Sequence, residues 1–447
     1  MLRKALKKAM VFLGRKDDWS EVISKSFLNF TIRIGSKGLN YILVFMLIRL
    51  HGVESFGKWT FSITIFLIFQ LISNLGLKAA MIRYFASSND QNGSINLKDV
   101  YLKSLKLLIA SGVIFGLILY FSSTKISIEY EKAYLSESLK YLAFGFIALN
   151  LVDLNTGVLR GLRKIGKQSF LESTGNPLFS ILFIGIGYTF TKDFSSVFGF
   201  YLIALYVFCL VSFILVFSEG FKSESHHQKV SSMKILSVSF PMFFTTSTSV
   251  LDRWADIMIL GFFCSDTQLA GYSLVSRLSK IVSLPLNSVN SISASKFRAK
   301  YVENRYLELK MLSKSATKVI VLTSIIPLLI LCLFSEYVIS VFDRQLVFAI
   351  SALYFLLAGQ FFNVITGSVS QLLNMTDGHV RLMWISLIST TMNLGLNLLL
   401  VPLYGINGAA IATLSSLVLN NLMSTYIVYK RLGFAPIYIP FQKVKTN

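Results

Sequence analysis

The sequence predicts an all-α integral membrane fold of twelve transmembrane helices in two pseudo-symmetric six-helix lobes. Three observations predict it. Twelve apolar stretches punctuate the 447 residues, each near the ~20 residues that cross a bilayer as a helix. Lys and Arg fall almost entirely into every second gap between these stretches. The hydropathy layout of the first half repeats in the second.

Composition agrees. The chain is 54% hydrophobic and 15% charged, with a mean hydropathy of +0.63, whereas soluble domains carry about 25% charged residues. The net charge of +21 would suggest a nucleic-acid partner in a soluble protein. Here most of the cations read as loop residues that set topology beside anionic lipid headgroups, and no RNA- or DNA-binding motif is present. Cys209, Cys264 and Cys332 lie in or at the end of apolar stretches, and no two have metal-ligand spacing. They read as small packing residues.

Residues 1–25 are basic, with Arg3, Lys4, Lys7, Lys8, Arg15, Lys16 and Lys25 around a short apolar run from Ala9 to Leu13. No cleavage signature follows, so this segment reads as an amphipathic helix on the inner membrane surface rather than a signal peptide. The first lobe, 26–217, holds predicted spans over 27–49, 60–77, 101–121, 139–156, 171–190 and 195–217. A polar segment, 218–234, contains His226 and His227 and reads as a cytoplasmic linker. The second lobe, 235–430, holds predicted spans over 236–261, 271–293, 317–335, 350–373, 382–401 and 408–429. Residues 431–447 form a basic cytoplasmic tail. The four histidines all fall in predicted loops, so none is a candidate buried proton relay.

With the N-terminus in the cytoplasm, the inside segments and the span ends beside them carry 31 of the 43 Lys and Arg residues, and the outside segments with their span ends only 7. Basic loops stay on the cytoplasmic side, so both termini are expected there. The outside loops are short, which leaves no room for an extracytoplasmic domain. The halves also echo each other: Phe56-Gly57-Lys58-Trp59 precedes the second predicted span as Ala270-Gly271-Tyr272-Ser273 accompanies the eighth. The same offset carries Leu159 onto Leu373. An even number of spans per half makes this a parallel repeat, as in transporters built of two like halves.

Several fragments resemble one family. Asn393 to Thr413 reads NLGLNLLLVPLYGINGAAIAT, an asparagine-studded helix followed by Pro-x-Tyr-Gly and Gly-Ala-Ala. It resembles the Wzx-type oligosaccharide flippases of the multidrug/oligosaccharidyl-lipid/polysaccharide exporter superfamily. Arg49-Leu50-His51-Gly52 with Phe56-Gly57, Asn74-Leu75-Gly76-Leu77 with Arg83, Leu159-Arg160-Gly161-Leu162, and Asp252, Asp256 and Gly271-Tyr272 agree in the right order along the chain. The Asn393 segment also reads as an architectural turn in which small residues let two helices approach closely.

The resemblance implies two six-helix bundles facing a central cavity. It also implies transfer of polyprenyl-pyrophosphate-linked oligosaccharide, such as an O-antigen or capsule repeat unit, from the inner to the outer leaflet of a bacterial inner membrane. A polysaccharide polymerase and a chain-length regulator are the implied protein partners. Lipid II flippases of the superfamily usually carry two further helices, which this chain lacks.

Ionisable residues inside a bilayer are costly, by about 2.5–3.5 kcal/mol each, and normally face a cavity or a partner. Arg33 and Lys37 lie one turn apart on the first span, with Asn29, Ser36 and Asn40 on the same stripe. Thr245, Ser249, Asp252, Arg253 and Asp256 stripe the seventh. Ser273, Arg277, Lys280, Ser283, Asn287 and Asn290 stripe the eighth. At ~1.5 Å rise per residue, Arg253 and Lys280 fall about 12–13 Å below the outer ends of their spans, while Arg33 and Lys37 occupy the inner half and the middle. Arg33, Lys37, Arg253, Arg277 and Lys280 are therefore candidates for a cationic chamber that receives a pyrophosphate and acidic sugars. The local alternative is that Arg253 and Arg277 neutralise Asp252 and Asp256 while Lys280 snorkels.

Coupling to H⁺ or Na⁺ would need an acid, and Asp252, Asp256, Asp153 and Glu172 are the candidates. Interfacial or helix-start placement is the competing account of the last two. Tyr41 and Trp254, beside the stripes, are candidates to stack on sugar rings. No cofactor is expected.

Two other functions compete. A cation-expelling multidrug antiporter would favour an acidic cavity, whereas these spans hold more cations than acids. A membrane polysaccharide polymerase would need a sizeable outer loop with catalytic groups. A nucleotide-driven pump would need a phosphate-cradling Gly-Lys-Ser/Thr loop, and the sequence has none. An enzyme is not expected.

Overall fold

The computed structural model describes residues 35, 37–87, 96–220 and 230–437, without the side chains of 241, 242 and 244–253. Arg33, the basic segment 1–25, His226 and His227, and the end of the tail therefore lie outside the described residues, as do the side chains of Asp252 and Arg253.

The fold is all-helical among the described residues. In the first half α1 spans 37–51, α2 Val53–Ser73, α3 Leu77–Ser87, α4 Leu97–Glu129, α5 Tyr134–Ala143 and α6 Gly145–Gly161. Then α7, Ile165–Ser169, runs through a π-helical turn at Phe170–Thr174 into α8, Gly175–Phe190, and α9 is Ser195–Phe217. In the second half α10 spans Ser232–Phe263, α11 Asp266–Ser279, α12 Leu284–Val302, α13 Tyr306–Leu333 and α14 Ser335–Phe342. A 3₁₀ turn at Arg344–Ala349 leads into α15, Ile350–Thr366, followed by α16 Val369–Met375, α17 His379–Tyr404 and α18 Ile406–Leu432.

Seven of these helices are long and apolar enough to cross a membrane, and α5 with α6, bent by 48°, makes an eighth. Within the described residues each predicted span overlaps a helix or a broken pair, but the breaks were not foreseen. The stretch predicted as 60–77 ends at Ser73, because Leu75 (φ 53°) and Gly76 (φ 70°) adopt left-handed conformations. Gly76 is required there twice over: its φ favours glycine, and a Cβ would come 2.5 Å from the Ser239 carbonyl oxygen. The stretch predicted as 271–293 is likewise two helices, parted at 280–283, with Lys280 as the C-cap of α11. His51, predicted in a loop, is the last residue of α1 and packs edge-on against Tyr188 and Phe194.

Lipid offers little hydrophobic drive between helices, so close packing and polar contacts hold them. Gly175 lies against the Phe208 ring and Gly261 against the Phe61 ring, where a Cβ would meet ring carbons at 2.0 Å and 2.1 Å. The Pro402-Leu403-Tyr404-Gly405 turn closes α17 onto α18, and a Cβ on Gly408 would sit 2.3 Å from the Leu400 carbonyl oxygen. That accounts for the small residues of the Gly-Ala-Ala segment. One buried apolar cluster runs through both halves, from Phe66, Phe146 and Phe208 to Leu260, Leu274 and Ala409. The halves meet where α2 packs along α10 and α11, and where α3 packs on α10.

Candidate functional site

Asp256, on α10, is a buried acid, 8% exposed. Three neutral donors from three other helices satisfy it. Tyr272 Oη (α11) and Thr413 Oγ1 (α18) donate to Oδ2 at 2.5 Å and 2.8 Å, and Asn397 Nδ2 (α17) donates to Oδ1 at 2.9 Å. Asn397 Nδ2 also reaches the carbonyl of Asn393, one turn earlier, at 2.9 Å. The two asparagines are four residues apart and share a helix face, and Asn393 Nδ2 turns to Ser416 Oγ at 3.5 Å. Both are buried, yet Asn393 Oδ1 and Asn397 Oδ1 have no hydrogen-bond partner. Orphaned buried acceptors are uncommon and costly. A carboxylate with two unused carbonyl oxygens and a hydroxyl is a set of hard oxygen donors, chemically suited to a small cation or a proton. Among the described residues no group of three or more His, Cys, Asp or Glu side chains converges.

A second polar cluster lies in the first half, around Lys78 at the start of α3. Lys78 Nζ donates to Asp153 Oδ1 at 2.8 Å and lies 4.0 Å from Glu172 Oε1. Asp153 Oδ2 also accepts from Gln70 Nε2 at 3.0 Å and Asn74 Nδ2 at 3.3 Å. Gln70 extends the network to Asn150, which reaches Ser73 Oγ at 2.7 Å. Glu172 sits in the π-helical turn, accepts from Gln168, and lies 4.0 Å from Arg160. The structure thus joins Asp153 and Glu172 through one lysine that the sequence places among the topogenic loop cations.

The candidate cations are placed separately. Lys37 is exposed on α1, Arg277 is half-buried in the last turn of α11, and Lys280 is exposed at its end. Lys280 acts on Asp256 electrostatically. Tyr41 Oη donates to the Arg277 carbonyl at 2.8 Å, so this tyrosine ties α1 to the second half. Trp254 is half-buried on α10. Sequence reading missed Tyr272, Asn397 and Thr413 as partners of Asp256. The available signal was the pair of asparagines one turn apart in an apolar span.

Comparison with solved structures defines the class: the chain has the fold of a transporter of the MOP superfamily. It aligns with an inward-facing multidrug resistance MATE family transporter of that superfamily at a TM-score of 0.74 and 15% identity, covering 90% of this chain and 98% of the other. The lipid II flippase MurJ in an inward closed conformation aligns at 0.71 and 15% identity, covering 90% and 87%. The family model described as polysaccharide biosynthesis protein matches residues 22–293, and the chain belongs to that family. The MatE model matches residues 241–399. Two curated relatives come from Haloferax volcanii. The "Probable flippase AglR" is 24% identical over 432 residues, covering 92% of this chain and 84% of the relative. The "Probable low-salt glycan biosynthesis flippase Agl15" is 24% identical over 413 residues, covering 89% and 81%.

Proposed function

We propose that this chain is a flippase that moves polyprenyl-pyrophosphate-linked oligosaccharide from the cytoplasmic to the outer leaflet, by alternating access coupled to H⁺ or Na⁺. The observation that carries this reading is similarity along about nine tenths of the chain to two relatives named as flippases, one of them for glycan biosynthesis. The family match supports it. In this reading twelve spans form two lobes in a bacterial inner membrane with both termini inside, as the cation asymmetry of the loops indicates. Lys37, Arg277 and Lys280, with Arg33 and Arg253, meet the diphosphate with fixed charge. Asp256, with Asn393, Asn397 and Thr413, takes the coupling cation. A multidrug antiporter is the competing reading, favoured by fold likeness to such a transporter and by the MatE match over residues 241–399.

The test is translocation in proteoliposomes. The full chain, reconstituted with a fluorescent polyprenyl-pyrophosphate disaccharide, should accelerate its movement between leaflets. Lys37→Gln and Lys280→Gln should slow it about tenfold each, the worth of one charge-assisted hydrogen bond of ~1.5 kcal/mol. Lys37→Arg should retain more activity than Lys37→Gln. Rhodamine-type dye export without lipid movement would support the antiporter instead.

A further inference from the structure

The two halves also meet at their outer ends, through groups that no part of the site above uses. Asp266 opens α11, where Ser265 and Gln268 form a reciprocal capping box that fixes the helix start. From the first half, Lys132 Nζ reaches Asp266 Oδ1 at 2.7 Å, and Tyr134 Oη donates to the same oxygen at 2.8 Å. Lys132 Nζ also lies 3.4 Å from the Cys264 carbonyl oxygen. Both charged side chains are only 12% exposed. The surroundings are aromatic. Phe61 packs edge-on against Tyr130 at 5.0 Å, Tyr130 against Phe262 at 5.8 Å, and Lys132 lies over the Phe61 ring. Below this, Gly57 on α2 touches the backbone of Asp266 so closely that a Cβ would fall 1.8 Å from its carbonyl oxygen.

We infer that Lys132, Tyr134 and Asp266 form a latch that holds the outer side of the protein shut, and that outward opening breaks it. The contact is suited to switching. One carboxylate oxygen collects two donors from the other half, so separating the start of α5 from α11 releases both of them together. Both charged side chains are largely buried while the latch is closed, which strengthens the ion pair. Once wetted, the same pair is screened and weak. The segments 130–134 and 264–266 both belong to loops predicted outside, so breaking the latch opens the protein on the releasing side. The inference rests on the alternating-access reading, but its first test does not involve substrate.

Cys264, 8% exposed beneath the latch, is a built-in reporter. In a Cys209→Ser, Cys332→Ser background, its reaction with a membrane-impermeant maleimide added outside intact cells measures outer opening. Lys132→Gln and Asp266→Asn should raise the labelling rate several-fold, and Lys132→Asp combined with Asp266→Lys should bring it back toward the parent. Unchanged labelling in both single variants would overturn the latch. As a second measurement, a cleavable bis-methanethiosulfonate bridge between Lys132→Cys and Asp266→Cys, with Cys264→Ser added, should stop lipid translocation until the bridge is reduced. Translocation that proceeds at full rate with the bridge intact would also overturn it. If labelling responds as expected but no variant or parent moves lipid, the latch stands and the substrate reading falls.

Discussion

Asn397 gives its amide hydrogens to Asp256 Oδ1 and to the Asn393 carbonyl, both at 2.9 Å, and leaves its own buried Oδ1 without a partner. A side chain spent in this way costs more than it returns unless something else meets the free oxygen. A coupling ion between the amide oxygens and the carboxylate would meet it.

That arrangement makes Asp256→Asn the sharpest test of coupling. In the parent, a bound ion should raise the thermal midpoint in detergent, with ~2.7 kcal/mol of stabilisation at about one hundred times its dissociation constant. The midpoint should rise with NaCl but not with equimolar choline chloride. Asp256→Asn should abolish the difference, and Asn397→Ala should weaken it. A sodium response that survives in Asp256→Asn would place the ion elsewhere.

Lys78 and Asp153 carry a different expectation. Their carboxylate is already answered by one lysine and two amides, so the pair reads as structural glue between α3 and α6 rather than an ion site. Lys78→Met leaves a partly buried carboxylate without its cation and should cost about 1–2 kcal/mol, after allowance for partial solvent screening. Lys78→Met with Asp153→Leu should recover most of that loss in thermal unfolding. A double variant no more stable than the single one would show that the pair is not the source.

Acid sensitivity should localise at Glu219, just beyond α9. Hydrogen bonds from Lys164 and Lys167, at 2.7 Å and 2.5 Å, hold its carboxyl below the usual range. A depressed carboxyl contributes stability above its unfolded value of about 4.3, and that contribution is lost as pH falls through the folded value. Glu219→Gln should therefore flatten the decline of the thermal midpoint below about pH 4.5 and leave its slope near pH 7 unchanged. An identical acid limb in parent and variant would reject the assignment.

Hydropathy and charge alternation made the helix order legible, because each span must satisfy its own backbone in lipid. Periodicity also marked the face that carries Asp256. It could not show which faces meet. Asn397 and Thr413 are 141 and 157 residues from Asp256, and a helical period names a face without naming the partner. The breaks at 74–76 and 280–283 were hidden for another reason: an apolar run hides a change of direction within it, and Leu75 carries no mark of its left-handed backbone. The sequence places Lys78 among the inside loop cations and Lys132 among the few outside ones. Each has a carboxylate within 2.8 Å, since a cation near the end of one helix is also within reach of acids on its neighbours.

Just before α10, Asp99 and Lys103 grip the backbone of Val230 from both directions. The Val230 N–H donates to Asp99 Oδ2 at 3.3 Å, Lys103 Nζ donates to the Val230 carbonyl at 2.8 Å, and the two side chains pair at 2.7 Å. The start of the second half is thus docked on α4 by non-covalent bonds of its own. Because the clamp holds main-chain atoms, a change of side chain at position 230 leaves it in place.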